Sequence, residues 1–96
     1  MILTNINGTS DNQCSCGSWL NHWKKYSGQT ITQCPVLNCY DTGLVGAHVQ
    51  RAYSAGNKWY ICPLCATHNK STDALQVTDS INLVSANKSE TCDKLY

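Results

Sequence analysis

The 96-residue sequence lacks phenylalanine altogether and contains a single methionine. Two of the side-chain types that commonly fill a core are therefore nearly missing, and a chain of this length buries only a limited share of its surface. No apolar run approaches the length of a membrane-spanning helix, so we expect no membrane partner. Internal repeats and low-complexity tracts are absent as well. We therefore predict a single domain over residues 1–96 that needs a further source of stability.

A strong charge of either sign is also missing, because the formal net charge is only +1 at pH 7. Residues 20–70 contain five cationic side chains against Asp41 alone, a local excess of +4, whereas residues 71–96 have an excess of −2. This mildly basic middle falls well short of a typical nucleic-acid footprint. It allows DNA, RNA or a protein as partner and does not choose among them.

The first eight residues contain neither a basic segment nor a long apolar segment, so they do not resemble a secretory signal. We therefore expect a cytoplasmic location. Stable disulfides are disfavoured in that compartment. The abundant cysteines of the chain then need another explanation.

Cysteine and histidine are what the sequence has in abundance, with seven and three copies. A full set of disulfides would leave one cysteine over. Four cysteines lie in close pairs, Cys14 with Cys16 and Cys62 with Cys65, and such pairs suit a tetrahedral metal better than a long-range crosslink. We therefore predict that a structural zinc ion supplies the missing stability.

Hydrophobic periodicity and turn residues predict a small α+β fold. Residues 18–27 are expected to form an N-terminal helix with Ser18 as its N-cap and Gly28 at its end. One face of this helix is aromatic and is expected to pack in the core; it consists of Trp19, Trp23 and Tyr26. Residues 1–13 are polar, and we expect them to be loosely structured.

The middle of the chain predicts a β-hairpin followed by a helix. Residues 44–53 and 58–62 are the expected strands, joined by a turn at residues 54–57. Pro63 suits the first turn of a helix that would extend to about Lys70. Two short apolar runs near the C-terminus are expected to form short strands or a strand and a loop; they cover residues 75–77 and 81–84.

Residues 34–70 arrange their potential metal ligands in the order of a treble-clef zinc finger. A Cys-x4-Cys zinc knuckle at residues 34–39 comes first, then the hairpin, then a pair of ligands at the start of the short helix. Residues three apart on a helix share a face, so four ligands can close a tetrahedron. The second pair has two possible registers with the same spacing, Cys62 with Cys65 or Cys65 with His68.

The same region resembles the HNH endonuclease family. The resemblance rests on VGAHV at residues 45–49 and on WYICPLCATHNK at residues 59–70. It implies an HNH-like treble-clef core over residues 34–70 and selects one register of the ligands. The zinc ligands that it implies are Cys34, Cys39, Cys65 and His68, and it leaves Cys62 facing the core or in a second site.

The resemblance also implies candidate catalytic residues. His48 would be the general base, Asn57 the middle asparagine, and Asn69 a ligand of a catalytic Mg²⁺ or Mn²⁺ ion. However, Ala47 occupies the position where the family usually has Asp or His, and Asn69 is neutral. A hard divalent ion in phosphoryl chemistry normally has at least one carboxylate ligand. We therefore favour a binding module with a degenerate nuclease motif over an active nuclease.

Cys14 and Cys16 form a second potential half-site, since a Cys-x-Cys loop presents two thiolates together. Our sharper hypothesis is a second zinc ion, completed by two ligands from among Cys62, Cys92, His22 and His48. The alternatives are free, partly buried thiols or a redox-sensing pair. Three functions follow from the sequence: a zinc-stabilised module that binds nucleic acid or protein, an HNH-type nuclease, and a thiol redox or metal sensor.

Overall fold

A computed structural model of the protein describes residues 1–6, 16–53, 56 and 58–87. These residues form a small α+β fold with an antiparallel sheet and two short helices. The strands are β1 (Ile2–Asn5), β2 (Val45–Arg51), β3 (Tyr60–Leu64), β4 (Leu75–Gln76) and β5 (Val84–Ser85), and the helices are α1 (Trp19–Ser27) and α2 (Ala66–Asn69). The predicted α+β class is confirmed at this level.

The sheet is built around the predicted hairpin. Its strand order is β4-β1-β2-β3-β5, and each neighbouring pair is antiparallel. In the pairing of β2 with β3, Ala47 lies opposite Cys62 and His48 lies opposite Ile61. Because side chains alternate along a strand, Ala47 and His48 point to opposite faces of the sheet.

Strand β1 corrects the expectation that the first 13 residues are loosely structured. Ile2–Asn5 lies between β4 and β2, and Leu3 is fully buried. A four-residue strand in a polar segment gives almost no periodic signal. Its partners, Arg51 and Leu75, lie far away in the sequence, so only the folded chain reveals the pairing.

Helix α1 begins and ends as its sequence predicts. The Ser18 hydroxyl accepts a hydrogen bond from the Asn21 amide at 3.0 Å, and Gly28 ends the helix in the left-handed conformation with φ of 69°. Trp19 and Trp23 are buried as expected, but Tyr26 is exposed. The aromatic stripe therefore anchors the first two turns of α1 in the core and leaves the last turn at the surface.

Side chains of α1 also fasten the C-terminal segment of the described chain. The Trp23 indole donates to the Asn82 carbonyl at 2.7 Å. The fully buried His22 donates through Nε2 to the Ser85 carbonyl at 2.9 Å, which fixes its tautomer because a carbonyl only accepts. These bonds satisfy polar groups that would otherwise be costly to bury, and they hold β5 beside the helix.

Among the described residues, no helix is both long and apolar enough to cross a membrane.

Candidate metal centre

Four potential ligands converge where β3 ends and α2 begins. The ligand atoms of this cluster all lie within 4.8 Å of one another, and they belong to Cys34, Cys39, Cys65 and His68. The described cysteines form no disulfide, so the three sulfurs of the cluster are available as thiolates. The cluster therefore has the Cys₃His composition of structural zinc sites.

The distances within the cluster match the edges of a zinc tetrahedron. Bonds of about 2.3 Å to sulfur and about 2.0 Å to nitrogen give edges of roughly 3.5–3.8 Å. His68 Nδ1 lies 3.2 Å from Cys65 Sγ and 3.5 Å from Cys34 Sγ. The sulfurs of Cys39 and Cys65 are 4.0 Å apart. Small shifts of these side chains would bring all four atoms to bonding distance of one central ion.

The loop that carries Cys34 and Cys39 is shaped by its backbone. Asn38 has a positive φ of 65°, a conformation that asparagine tolerates better than most residues, and it turns the chain so that Cys39 faces back towards Cys34. The Cys39 amide donates to the Val36 carbonyl at 3.0 Å, and the Cys34 amide donates to the Asp41 carbonyl at 2.8 Å. The local turn brings both thiols together, and further backbone hydrogen bonds to residues 76–78 hold the loop in the fold.

Helix α2 supplies the other two ligands. Cys65 is its N-cap residue and His68 lies one turn later, so both side chains are on the same side of the helix. The Cys65 amide points at Cys34 Sγ at 3.4 Å, and the Asn69 amide donates to the Cys65 carbonyl at 2.9 Å. An N–H group directed at a sulfur stabilises the thiolate, which is the form that binds a metal.

Burial strongly disfavours the Cys34 thiolate when no cation is present. It raises the pKa of Cys34 to about 11, and hydrogen bonds from the amides of Cys65 and Val36 offset only part of the effect. A bound divalent cation reverses this preference because its charge stabilises the thiolate directly. Metal binding by this cluster is therefore coupled to the release of protons.

Four protein ligands complete a tetrahedral coordination sphere. Catalytic zinc sites keep one position open for water or substrate, whereas structural sites are closed. The Cys₃His cluster leaves no such position. An ion held by all four residues would be suited to stabilising the fold and not to activating water.

Cys62 lies outside the cluster. Of the two possible ligand pairs, Cys65 with His68 is the one found in the cluster. The Cys62 side chain is fully buried beside Ala47, and its thiol points to the Pro63 carbonyl at 3.7 Å. Burial, with a smaller contribution from the nearby Cys34, raises the pKa of Cys62 to about 12. Cys62 therefore behaves in this structure as a small apolar core residue.

We expect Cys62 to resist alkylation in the folded protein. With a pKa near 12, the thiolate is scarce at pH 8, and burial also blocks the reagent. Iodoacetamide should modify Cys62 at least about a hundredfold more slowly in native protein than in urea-unfolded protein, as measured by peptide mass spectrometry. Equal rates in the two states would contradict this placement of the thiol.

His48 lies on the face of the sheet that packs against α1. Its ring contacts the Trp19 ring with centroids 4.7 Å apart and the Trp59 ring at 6.2 Å. Only 6% of the residue is exposed. Burial, with repulsion from His22 as a second cause, lowers the pKa of His48 below its ordinary value. The environment thus holds a neutral imidazole between aromatic rings.

Asn69 belongs to the other side of the sheet. Its side-chain oxygen accepts a hydrogen bond from Asn5 at 3.0 Å, and Asn5 pairs with Val49 in the sheet. Val49 and His48 are neighbours on β2 and therefore point to opposite faces. The structure does not bring the His48 ring and the Asn69 side chain to a common site.

Asn5 is a functional neighbour of the metal centre that the sequence did not reveal. Its side-chain amide donates to the carbonyls of His68 and Asn69 and so ties the end of α2 to β1. The contact joins residues more than 60 positions apart, so no local pattern signals it. Its effect is to hold the helix that carries two of the four ligands.

Two of the predicted site residues, Asn57 and Cys14, lie outside the residues that the structure describes. Cys16 is described and partly buried against the core. Among the described residues, no second group of three or more potential ligands lies close enough together to hold an ion.

The burial of His48 predicts how stability depends on pH. A histidine whose pKa is lowered by folding binds a proton more readily when unfolded, so stability is present above the ordinary pKa of about 6.5 and falls as the pH drops below it. We expect zinc-loaded wild-type protein to lose more stability than His48→Gln between pH 7.5 and 5.5.

Urea unfolding at both pH values measures this difference. Loss of zinc at low pH affects both proteins alike, so the comparison isolates the histidine. An identical pH dependence in the wild type and the variant would contradict the assignment.

Comparisons of the chain with protein-family models, with curated proteins and with solved structures give no match.

Proposed function

We propose that this protein is a binding module whose fold is held together by one structural zinc ion at Cys34, Cys39, Cys65 and His68. The observation that carries the proposal is the convergence of these four ligand atoms within 4.8 Å. Three thiolates and an imidazole are ligands that zinc prefers. The ion would link the loop at residues 34–39 to α2.

We further propose that the centre is a treble clef of HNH-like type. A Cys-x4-Cys loop, the hairpin of β2 and β3, and a helix that starts at a ligand follow each other in the order typical of that motif. The HNH-like sequence at residues 45–49 and 59–70 lies on the same elements. On this interpretation the chain retains the zinc-binding half of the motif.

Two observations weigh against nuclease activity as the function. His48 is buried between Trp19 and Trp59, and Ala47 offers no ligand beside it. A general base must come within hydrogen-bonding reach of the water that it activates. Incubating the zinc-loaded protein with supercoiled plasmid and Mg²⁺ or Mn²⁺ tests this point. We expect no cleavage above that of His48→Ala.

Metal content measured on purified protein tests the zinc proposal. We expect one zinc per chain by elemental analysis, and none after Cys39→Ala. Two ions per chain would indicate an additional site that uses Cys14 and Cys16. Folded protein without metal would overturn the proposal.

A further inference from the structure

The three thiols of the metal centre differ in their exposure to solvent. Cys34 and Cys65 are only 4% and 2% exposed, whereas Cys39 is partly exposed at the end of its loop. A small neutral oxidant such as hydrogen peroxide therefore reaches Cys39 more readily than the other two. A cysteine that binds a metal is held as its thiolate, which is the form that peroxides oxidise.

Cys34 is protected by hydrogen bonds as well as by burial. Its sulfur lies 3.4 Å from the Cys65 amide nitrogen and accepts a second hydrogen bond from the Val36 amide. N–H donors stabilise a thiolate and so lower its nucleophilicity towards an oxidant. Of the two sulfurs on the loop at residues 34–39, we therefore expect Cys39 to react first.

The sulfur of Cys65 lies where it can capture an oxidised Cys39. The two sulfurs are 4.0 Å apart, so they must approach by about 2 Å to reach the length of a disulfide bond. They belong to different segments, since Cys39 lies on the loop and Cys65 is the N-cap of α2. A bond between them would remove two of the four ligands at once and leave only Cys34 and His68.

We infer that the metal centre is also a site of modification by hydroperoxides, in which Cys39 is oxidised and then joined to Cys65, with release of the zinc ion. First, the Cys39 thiolate attacks one oxygen of the peroxide and becomes a sulfenic acid, and hydroxide leaves. The Cys65 thiolate then attacks the sulfenic sulfur, which forms the disulfide and expels a second hydroxide. Two thiolates thus lose two electrons, one peroxide gains them, and the hydroxides take up protons from solvent.

The inference rests on the proposed function, because the ion that is released is the one that we propose to hold the fold. Oxidation would therefore unfold the binding module, and reduction in the presence of zinc would restore it. The half-exposed Cys39 makes the site sensitive to oxidants, while the burial of Cys34 and Cys65 confines the first step to one sulfur.

Zinc release from the zinc-loaded full chain tests the inference. A colorimetric zinc chelator follows the ion after hydrogen peroxide is added. We expect the ion to be released, and dithiothreitol with added zinc to reload the oxidised protein as fully as protein stripped with EDTA. A sulfinic acid is not reduced by dithiothreitol. Stripped protein that reloads while oxidised protein does not would therefore overturn the disulfide step.

Peptide mapping of the oxidised protein identifies the sulfurs. Trypsin releases two peptides with two cysteines each: residues 26–51 with Cys34 and Cys39, and residues 59–70 with Cys62 and Cys65. We expect mass spectrometry to find the two peptides joined, with fragment ions that place the bond between Cys39 and Cys65. The joined pair should persist in Cys62→Ala. A disulfide within residues 26–51, or loss of the joined pair in Cys62→Ala, would overturn the assigned partner.

Two variants separate this chemistry from general oxidation of the chain. Cys39→His keeps a ligand at this position without an oxidisable sulfur, so it should bind zinc and retain it in peroxide. Cys16→Ser removes another partly exposed thiol, which lies outside the cluster, and should lose zinc at the wild-type rate. Zinc release from Cys39→His at the wild-type rate would overturn the role of Cys39. If Cys39→His binds no zinc, the peptide map of the wild type decides.

Metal analysis before oxidation separates this inference from the proposed function. Protein that folds without zinc overturns the proposed function. Zinc-loaded protein that retains its ion in peroxide, or that loses it without joining Cys39 to Cys65, overturns only the inference.

Discussion

Removal of the metal, by chelation or by Cys39→Ala, is expected to unfold the protein. Structural zinc binding contributes about 10–16 kcal/mol in small zinc domains, whereas a whole domain is stable by only about 5–15 kcal/mol. The apolar core of the described residues is modest, with Trp19 and Trp23 as its largest members. We expect this core to supply too little stabilising free energy to keep the protein folded without the ion.

Circular dichroism and thermal melting with and without a chelator measure this effect. The matched control is Cys62→Ala, which removes a buried thiol outside the cluster. We expect it to keep one zinc per chain and a cooperative melting transition, with a loss of about 1–2 kcal/mol. An unchanged melting temperature after complete metal removal would contradict a structural role for the ion.

The second large effect is expected from Gly46→Ala. A Cβ atom at Gly46 would lie 2.4 Å from the Leu20 amide nitrogen and 2.4 Å from the Trp19 carbonyl carbon. These are backbone atoms of α1, so a side-chain rotation gives no relief. The helix must move away from β2, which loosens the packing of Trp19 and Trp23. We expect a loss of about 3 kcal/mol, the upper end of the cost of overpacking.

Gly43→Ala provides the control for this substitution. Gly43 has a positive φ of 72° and nothing within 4 Å of its added Cβ, so alanine there costs only the backbone strain of about 1–2 kcal/mol. Urea unfolding of the zinc-loaded variants compares the two. A Gly46→Ala protein that is at least as stable as Gly43→Ala would show that α1 does not approach β2 so closely.

The elements that are defined by local chemistry could be predicted from the sequence. Helix α1 follows from its Ser18 cap, its Gly28 terminator and its apolar spacing. The hairpin was predicted at residues 44–53 and 58–62, and the strands occupy Val45–Arg51 and Tyr60–Leu64. The helix predicted after Pro63 is shorter, because Pro63 remains in β3 and Cys65 becomes the N-cap.

Features that depend on distant residues could not be predicted in the same way. Strand β1 pairs with β2 and β4 across more than 40 residues, and Asn5 reaches α2 across more than 60. The role of Gly46 likewise depends on a contact with residues that are distant in the sequence. It has no positive φ that would mark a turn, and its lack of a side chain matters only because α1 crosses β2 at this point.

The sequence by itself determined that a metal-binding set of cysteine and histidine surrounds a hairpin, since ligand spacing is a local property of the chain. Tertiary structure decided which residues meet. It brought His68 rather than Cys62 to the cluster, because the alternation of β3 directs Cys62 into the core before α2 begins. It also placed His48 against Trp19, on the face of the sheet opposite to Asn69. The sequence specifies the chemistry of each side chain, but the direction in which the side chain points is fixed only when strands and helices pack.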